Sequence, residues 1–369
     1  MNVLHINSYC SDSKFYKNLF VEEAKCGIEL KAYIPVSNST DTSAMDFGKD
    51  AVISKSYDKI DRFSFVAKHK KILDDVQQKI NVSDFDLIHA HSLFSNGYIA
   101  YKLSEKYNIP YIVAVRDTDV NFFFKYMPFM RRLGLEILNH AKKVIFISPI
   151  YRENALKPYV KDYLNSDVYN KSIVVTNGAD DFWLSNTYSE KQVEEKDEIN
   201  VLCVARISAR KNLITLSDAC KQLYDAGHNV KLTVVGKVED KKIYDKISSY
   251  PCVNVCAPCN KEKLIEYYRS SDLFALASRT ETFGLVYLEA MSQGLPVVYT
   301  RGQGFDNQFP EGEIGYSVDA DNVKEISEKI MLAYNNRSKL VARCIEGVKK
   351  YNWQDIAKKY DEIYNEAIK

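Results

Sequence analysis

Two glutamates eight positions apart, Glu281 and Glu289, lie in a segment whose pattern predicts a strand, a turn and a helix. The apolar run 272–278 predicts a buried strand, and the following helix ends where Gly294 permits a left-handed residue and Pro296 prevents continuation. This order places Glu281 in the turn at the carboxyl edge of a sheet and Glu289 in the second turn of the helix. Both carboxylates can accept hydrogen bonds from hydroxyl groups.

The turn between the two glutamates opens a helix, and the start of a helix attracts anions. The first backbone amides have no partner inside the helix, and the helix dipole adds partial positive charge there. A sheet edge with an acid, a helix start and a second acid together suit a phosphorylated sugar that carries a ribose. The residues whose amides open this helix are Phe283, Gly284 and Leu285.

Two cations, Arg206 and Lys211, frame a second predicted strand-to-helix loop. The strand that begins at Ile199 ends near Ala205, and a helix begins near Asn212. Two cations in one such loop can bind both phosphates of a diphosphate. The second half of the chain is therefore predicted to bind a diphosphate.

The first half offers a histidine pair, His89 and His91, at the end of the predicted strand 86–91. A neutral imidazole can hydrogen-bond a sugar hydroxyl without adding fixed charge. His91 stands at the carboxyl end of this strand and is the functional candidate, whereas His89 fits a structural role. A predicted helix, 98–107, follows.

A further strand, which begins at Pro110, runs into Arg116 and Asp117, and we interpret both as residues of a ligand-binding cleft. With Asp119, the second of these forms a D-x-D sequence, which is also found at the metal sites of enzymes with a different fold. Its setting among alternating strands and helices argues against that fold, so we predict no metal site.

Strands alternate with helices in both halves of the 369-residue chain, which predicts an α/β protein with parallel sheets and ligands at their carboxyl edges. The length favours two domains. We place them at 1–185 and 199–352, joined by a polar linker, with a final helix at 353–369 that packs back on the first domain. The Ser-, Thr- and Asp-rich stretch 34–57 is interpreted as a loop.

The Glu281 and Glu289 pair with Phe283-Gly284 between them resembles the paired-glutamate motif of retaining glycosyltransferases of family 4, which have the GT-B fold. The spacing of Arg206 and Lys211 matches the basic pair of that family. The resemblance covers most of the chain and is most specific from 201 to 298. It implies two Rossmann-like domains that face a central cleft. The loop 7–14 departs from the family pattern because it contains no glycine.

The resemblance also implies an activity: transfer of a hexosyl or N-acetylhexosaminyl group from a nucleotide diphosphate sugar, most often a UDP-sugar, with no catalytic metal and no other cofactor. Arg206 and Lys211 would stabilise the leaving diphosphate, Glu289 would bind the ribose, and Glu281 would orient the sugar. His91 would reach the donor sugar from the first domain, and Arg116 and Asp117 would face the acceptor. The acceptor would be a glycan or a lipid-linked glycan in bacterial surface polysaccharide synthesis.

Alternatives remain open at this point. Sugar-nucleotide epimerases and phosphorylases with a pyridoxal cofactor share the architecture, and a non-catalytic nucleotide-sugar-binding protein is a third interpretation. The net charge of +1 argues against nucleic acid as the main partner. Eight cysteines without a paired framework, and the absence of a signal-peptide pattern, lead us to expect a cytoplasmic protein.

The segment 121–136 is unusually rich in aromatic residues, methionine and arginine. An exposed segment of this composition would suit the surface of a bilayer, with the aromatic side chains inserted and the basic groups on lipid phosphates. The same composition also fits a helix packed inside the first domain. The sequence leaves both interpretations open.

Overall fold

The computed structural model describes residues 1–9, 15–43, 45–191, 193 and 197–369, and the side chain of Phe15 is not among the described groups. The larger part of the glycine-free loop 7–14, and part of the linker predicted between the domains, lie outside the described residues. The chain forms two compact units. The first comprises Met1–Ile147, Tyr151–Gly178 and Trp353–Lys369, and the second comprises Ser148–Ile150 and Ala179–Asn352.

Strands and helices alternate along the chain. The strands are β1 Asn2–Ile6, β2 Glu29–Ser37, β3 Ala51–Tyr57, β4 Leu87–Ala90, β5 Tyr111–Ala114, β6 Lys143–Phe146, β7 Ser172–Val174, β8 Glu198–Val204, β9 Asn229–Val235, β10 Val253–Cys256, β11 Leu273–Leu276, β12 Val297–Thr300 and β13 Gly315–Val318. The helices are α1 Phe15–Lys25, α2 Phe65–Lys79, α3 Ser95–Tyr107, α4 Arg131–His140, α5 Pro149–Asn154, α6 Asp167–Asn170, α7 Asp181–Ser185, α8 Leu213–Asp225, α9 Lys241–Ser248, α10 Lys261–Ser270, α11 Leu285–Ser292, α12 Val323–Asn335, α13 Arg337–Val348 and α14 Trp353–Ala367. None of these helices is long and apolar enough to cross a membrane.

The first unit contains a parallel seven-stranded sheet with the order β3-β2-β1-β4-β5-β6-β7. The order reverses direction between β1 and β4, so the loops after these strands leave towards opposite faces of the sheet. In sheets of this kind the crevice at such a reversal, at the carboxyl ends of the strands, is where ligands bind. His5 of β1 and His89 of β4 lie side by side in register at this reversal.

Apolar side chains cover both faces of the first sheet. One face packs on α2, α3 and α4, and the other packs on α1 and α14. The final helix contributes Trp353, Ile356, Tyr360 and Tyr364 to the second cluster, each nearly or fully buried. The last helix of the chain thus belongs to the first unit, as the GT-B pattern predicted.

The second unit contains a parallel six-stranded sheet with the order β10-β9-β8-β11-β12-β13. Its reversal lies between β8 and β11. These are the strands that precede the two loops with the predicted donor-binding residues. The predicted α/β class with two parallel sheets is confirmed.

The prediction of a loop at 34–57 is wrong at both ends of this stretch. Strand β2 extends to Ser37 and β3 occupies Ala51–Tyr57, and the two strands pair in parallel. The edge strand β3 is polar because one of its sides faces water, and its buried Ser54 hydroxyl bonds to Asp75 and Lys79 of α2. A half-exposed edge strand lacks the apolar run by which buried parallel strands are recognised.

Candidate functional site

The loops that follow β8 and β11 are joined by hydrogen bonds at the reversal of the second sheet. Arg279 donates its backbone N–H to the carbonyl of Arg210 over 3.0 Å. Asn212 is buried, and its Nδ2 donates to the carbonyls of Ala277 and Ala320 at 3.1 and 2.6 Å. These contacts fix the loop that carries Lys211 against the loop that carries Glu281.

Lys211 and Glu281 form an ion pair in this region, with 2.6 Å between Nζ and Oε2. Both side chains are largely buried, with 14% and 12% of their surfaces exposed. An ion pair at the exposed surface contributes little to stability. A largely buried pair such as this one holds each charge in a defined place. The structure therefore brings together one predicted phosphate ligand and one predicted sugar ligand.

A third loop, after β12, positions Glu281. The backbone N–H of Glu281 donates to the Gln303 side chain over 2.8 Å, and the N–H of Gly304 donates to the carbonyl of Glu281 over 2.7 Å. A Cβ on Gly304 would lie 1.9 Å from the carbonyl oxygen of Thr282, so only glycine permits this approach. The sequence analysis did not identify Gln303 or Gly304. The sequence signal for this loop is Gly304 itself, a glycine shortly after the strand β12.

Gly284 provides the left-handed residue (φ +84°) that starts α11. A Cβ there would also lie 2.5 Å from the ring of the buried Tyr287, whose hydroxyl donates to the carbonyl of Leu276. Among the described residues, the backbone amides of Phe283, Gly284 and Leu285 have no hydrogen-bond acceptor. Three N–H groups without an acceptor therefore open α11, shortly after Glu281 in the chain.

Glu289 lies on α11 and accepts a hydrogen bond from the Tyr268 hydroxyl over 2.9 Å. Burial raises the pKa of this carboxyl group to about 7, although the Tyr268 hydrogen bond and Lys261 lower it. Among the described residues, no cation forms an ion pair with Glu289 within 4.0 Å. Its carboxyl group consequently changes charge near neutral pH.

Arg206 is held differently from Lys211. Its side chain is 73% exposed, and Nη1 bonds to Glu239 at 3.2 Å. Its backbone is nevertheless fixed, because a Cβ on Gly236 would lie only 1.9 Å from the carbonyl of the preceding residue, Ala205. The guanidinium therefore extends from a rigid loop into solvent.

In the first unit, His91 is completely buried. Its Nε2 lies 3.0 Å from Nδ1 of His5, its ring stacks on His89 with 4.0 Å between centroids, and Tyr16 meets it edge-on. Burial lowers the pKa of His91 well below its usual value, so this imidazole is neutral. The position of His91 as a sugar ligand stays a prediction.

The histidines belong to a buried polar network that the sequence analysis did not anticipate. Nδ1 of His89 lies 2.7 Å from the Tyr364 hydroxyl, which donates to Glu23 over 2.6 Å, and Glu23 lies 3.3 Å from Nε2 of His5. Burial raises the pKa of Glu23 to about 8 and lowers the pKa of His5 to about 3. The network is therefore neutral at pH 7 and connects β1, β4, α1 and α14.

The three histidines His5, His89 and His91 offer nitrogen atoms within 4.8 Å of one another, the spacing of a potential metal site. Their geometry favours the hydrogen-bonded network. Two ligand rings around one ion splay apart, whereas the rings of His89 and His91 stack at 4.0 Å.

Arg116 and Asp117 lie at the carboxyl end of β5. The Nε of Arg116 donates to the carbonyl of His91 over 3.2 Å, and Asp117 accepts from Asn121. The other acid of the D-x-D sequence, Asp119, is buried and accepts from the backbone amides of Leu93 and Arg116 at 2.9 Å, among others. Its oxygens are already used, which argues against a two-aspartate metal site.

Comparison with known proteins identifies two sequence families. The family described as Glycosyltransferase Family 4 matches residues 44–180, and the family described as Glycosyl transferases group 1 matches residues 185–351. An uncharacterised glycosyltransferase of Methanocaldococcus jannaschii is 26% identical over 78% of this chain and 77% of its own length. The alpha-monoglucosyldiacylglycerol synthase of Acholeplasma laidlawii is 25% identical over 64% of each. A capsular polysaccharide biosynthesis glycosyltransferase of Staphylococcus aureus is 28% identical over 51% of this chain and 52% of that protein.

Solved structures share the fold over almost the whole chain. Sucrose-phosphate synthase from Thermosynechococcus elongatus superposes with a TM-score of 0.78 at 18% identity, covering 99% of this chain and 98% of that one. The Anabaena protein HepE in complex with UDP gives a TM-score of 0.74 at 16% identity, covering 99% and 100%.

Proposed function

The chain belongs to the glycosyltransferases of group 1 and family 4, with the GT-B fold, and from this premise we propose that it transfers a sugar with retention of configuration. The donor is a nucleotide diphosphate sugar that carries a hexosyl or N-acetylhexosaminyl group. The acceptor is a hydroxyl group of a glycan or lipid-linked glycan used for a bacterial surface polysaccharide.

The observation that carries the proposal is the Lys211–Glu281 pair at the reversal of the second sheet, next to the free amides that open α11. A diphosphate needs cations and N–H donors, and a sugar needs a carboxylate for its hydroxyl groups. The loop hydrogen bonds already hold both kinds of group in place. A site that is organised before the reaction stabilises developing charge without reorganisation.

Each side chain receives a role in this proposal. Lys211 and Arg206 stabilise the negative charge that develops on the leaving diphosphate, and the amides of α11 assist them. Glu281 orients the sugar, and Glu289 accepts hydrogen bonds from the ribose. The acceptor hydroxyl attacks from the face that the diphosphate leaves, and the leaving phosphate takes its proton. Side chains and amides provide the charge stabilisation, so turnover should continue in excess chelator.

A UDP-sugar is the proposed donor. HepE, which shares the fold, is described in complexes with UDP and with UDP-glucose. The half-buried carboxyl group of Glu289 can accept hydrogen bonds from the ribose of any nucleotide, so the support for uridine comes from the HepE complexes alone.

The acceptor is proposed to be presented at a membrane, and an exposed surface supports this. The π-helical turn Asp119–Phe124 and the residues after it bury Phe124 and Met130 but expose other aromatic side chains. The 3₁₀ turn Lys59–Phe63 and the start of α2 expose further apolar side chains, both aliphatic and aromatic. Exposure ranges from 51% for Phe122 to 94% for Phe63. We call this surface the aromatic face; it comprises Ile60, Phe63, Val66, Phe122, Tyr126 and Phe129.

The two segments of the aromatic face are neighbours, because the rings of Phe65 and Phe123 meet edge-on with 6.1 Å between centroids. Segments 58–71 and 121–136 carry eight lysines and arginines against three acids, in a chain whose charges almost cancel. Apolar insertion with basic residues around it suits an anionic bilayer, where each basic residue adds about 1 kcal/mol. By their names, one relative makes a diacylglycerol glycolipid and another acts in capsular polysaccharide synthesis, which agrees with such an acceptor.

The reaction is tested with a panel of nucleotide sugars. We expect one donor, most simply a UDP-sugar, to raise the melting temperature of the protein, since a ligand of the folded state stabilises it. With acceptor extract and excess chelator, the product should keep the anomeric configuration of the donor sugar by NMR. Isomerised donor without acceptor would instead indicate an epimerase, and binding without any product would indicate a non-catalytic protein.

The membrane contact is tested by sedimentation with vesicles that contain phosphatidylglycerol. We expect wild-type protein to sediment at low salt, and the double variant Phe63→Ser/Phe129→Ser to remain in the supernatant. Lys125→Glu/Arg132→Glu should weaken binding in the same way; Arg131 is left unchanged because its Nε donates to the carbonyl of Phe124. The control Leu332→Ser alters an exposed apolar residue of α12 and should bind normally. Wild-type protein in the supernatant would contradict the contact.

A further inference from the structure

Arg116 is a partly buried cation without a carboxylate partner. Its Nε is fixed on the carbonyl of His91, so the guanidinium stays at the carboxyl ends of β4 and β5. In the described part of the chain, its terminal nitrogens donate no hydrogen bond, and no carboxylate oxygen lies within 4.0 Å of them. Arginine stays protonated at physiological pH, and a buried charge without a partner costs free energy.

The neighbouring carboxylate of Asp119 forms no ion pair with Arg116. Asp119 is 1% exposed, and its two oxygens accept from the backbone amides of Leu93, Phe94 and Arg116 at 2.9 to 3.0 Å. This carboxylate therefore faces the backbone and leaves the guanidinium open to another anion. Tyrosines also lie near Arg116, namely Tyr9, Tyr16, Tyr151 and Tyr360.

Two more buried donors at this edge lack acceptors. Asn7 follows β1 and is fully buried, and Asn96 lies in the first turn of α3 with 1% exposed. The Nδ2 atom of each has no partner among the described residues. The two asparagines are close, since the backbone N–H of Ser8 donates to Oδ1 of Asn96 over 3.1 Å. Unsatisfied buried N–H groups are rare, and a bound water, ion or ligand that completes the bonding is one explanation for two of them side by side.

These donors surround the reversal of the first sheet between β1 and β4, where open α/β sheets bind ligands. We propose that this edge binds a phosphate or diphosphate group of the acceptor, held by Arg116 with Asn7 and Asn96. The inference rests on the proposed function, because it names the class of acceptor. A glycan linked to a lipid through a phosphate or diphosphate, or a sugar phosphate, carries such a group.

The test measures stabilisation by inorganic phosphate and by inorganic pyrophosphate at constant ionic strength, with saturating UDP present to fill the donor site. We expect both anions to raise the melting temperature of the wild type. Arg116→Gln should weaken this apparent affinity at least tenfold, and Arg116→Lys should retain part of it because a point charge replaces a planar fork. Arg343→Gln, at an exposed arginine of α13, is the matched control and should behave as the wild type.

Failure of this inference is separable from failure of the proposed function. Stabilisation by UDP alone should depend on Lys211 and be unchanged in Arg116→Gln, whatever the anions do. If the anions stabilise Arg116→Gln as strongly as the wild type, or do not stabilise the wild type, the proposed anion site is wrong. If Arg116→Gln does not fold, Asn96→Ala provides the same comparison. Tighter binding of geranyl diphosphate than of pyrophosphate would identify a lipid-linked group, and the reverse order a soluble one.

Discussion

Lys211 and Arg206 carry the same charge but are held differently, which predicts different phenotypes. Lys211→Met removes a phosphate ligand and also leaves Glu281 largely buried without its cation. We expect kcat/KM to fall by a factor that corresponds to a loss of ~2–4 kcal/mol in transition-state stabilisation. The melting temperature should fall as well. Arg206→Met should lower kcat/KM but leave the melting temperature unchanged, because that side chain is exposed.

The control for this pair is Arg210→Met, since Arg210 is an exposed cation on the same turn. It should retain normal kinetics and stability. Normal turnover in Lys211→Met would remove the basis for the proposed diphosphate site.

Glu289 predicts a pH dependence of donor binding. Burial raises its pKa to about 7, so the carboxyl group is protonated below that pH and ionised above it. The ionised form is the better acceptor for ribose hydroxyls, so the donor KM should fall as pH rises from about 6 to about 8. A UDP-sugar is the appropriate ligand because its diphosphate does not titrate in this range.

Glu289→Gln should bind the donor weakly at every pH, with the dependence removed. Measurement of KM for the wild type and this variant across the range decides the prediction. An identical pH profile in both proteins would show that another group titrates.

Among the elements, the start of α11 depends on Gly284. Gly284→Ala places a Cβ on a left-handed residue and against the ring of Tyr287. Gly302→Ala is a matched control, because Gly302 also has positive φ (+75°) but open space around its Cβ position. We expect both variants to lose stability, and Gly284→Ala to lose ~1–3 kcal/mol more because of overpacking.

Urea unfolding measures this difference. Trp183 lies in the second unit, so a Trp353→Phe background leaves one tryptophan as its reporter. Equal losses in the two variants would mean that the Tyr287 ring yields without cost. Gly284→Ala should also weaken UDP binding, since the free amides of α11 move.

Much of the fold could be predicted from sequence, and the site only in part. Buried parallel strands such as β11 are apolar runs, and Gly284 and Gly294 mark the two ends of a helix. The two sheets could therefore be predicted from the sequence. The edge strand β3 was missed because exposure removes its apolar pattern. The contact of Lys211 with Glu281 joins positions 70 residues apart. Glu23, His5 and Tyr364 gave no local signal because only the fold brings them together.

At the level of the whole molecule, the buried network predicts how stability depends on pH. The folded-state pKa of Glu23 is raised to about 8, so between about pH 4.5 and pH 8 the folded state holds a proton that the unfolded state has lost. The resulting contribution to the free energy of unfolding is fully present below the unfolded pKa of Glu23 and is lost as pH rises through the folded pKa. Above about pH 7 histidines are neutral in both states, so the contribution of Glu23 can be isolated there.

Glu23→Gln cannot ionise. Relative to the wild type, its free energy of unfolding should therefore rise by about 1 kcal/mol between about pH 7 and pH 8, since one proton corresponds to about 1.4 kcal/mol per pH unit. Denaturant unfolding in a Trp183→Phe background, which leaves Trp353 in the first unit, measures this difference. If the free energies of unfolding of the two proteins changed with pH in parallel, Glu23 would be ionised in the folded state.

The membership of α14 in the first unit has a consequence for synthesis on the ribosome. Residues 179–352 are translated after most of the first unit and before its last helix. Until then, the sheet face that receives Trp353 and Tyr364 is covered by α1 without α14, and His89 and Glu23 lack their shared hydroxyl partner. The second unit, by contrast, draws nearly all its residues from one continuous stretch. A nascent chain can therefore complete the second unit first, and the first unit is completed only when α14 has been translated.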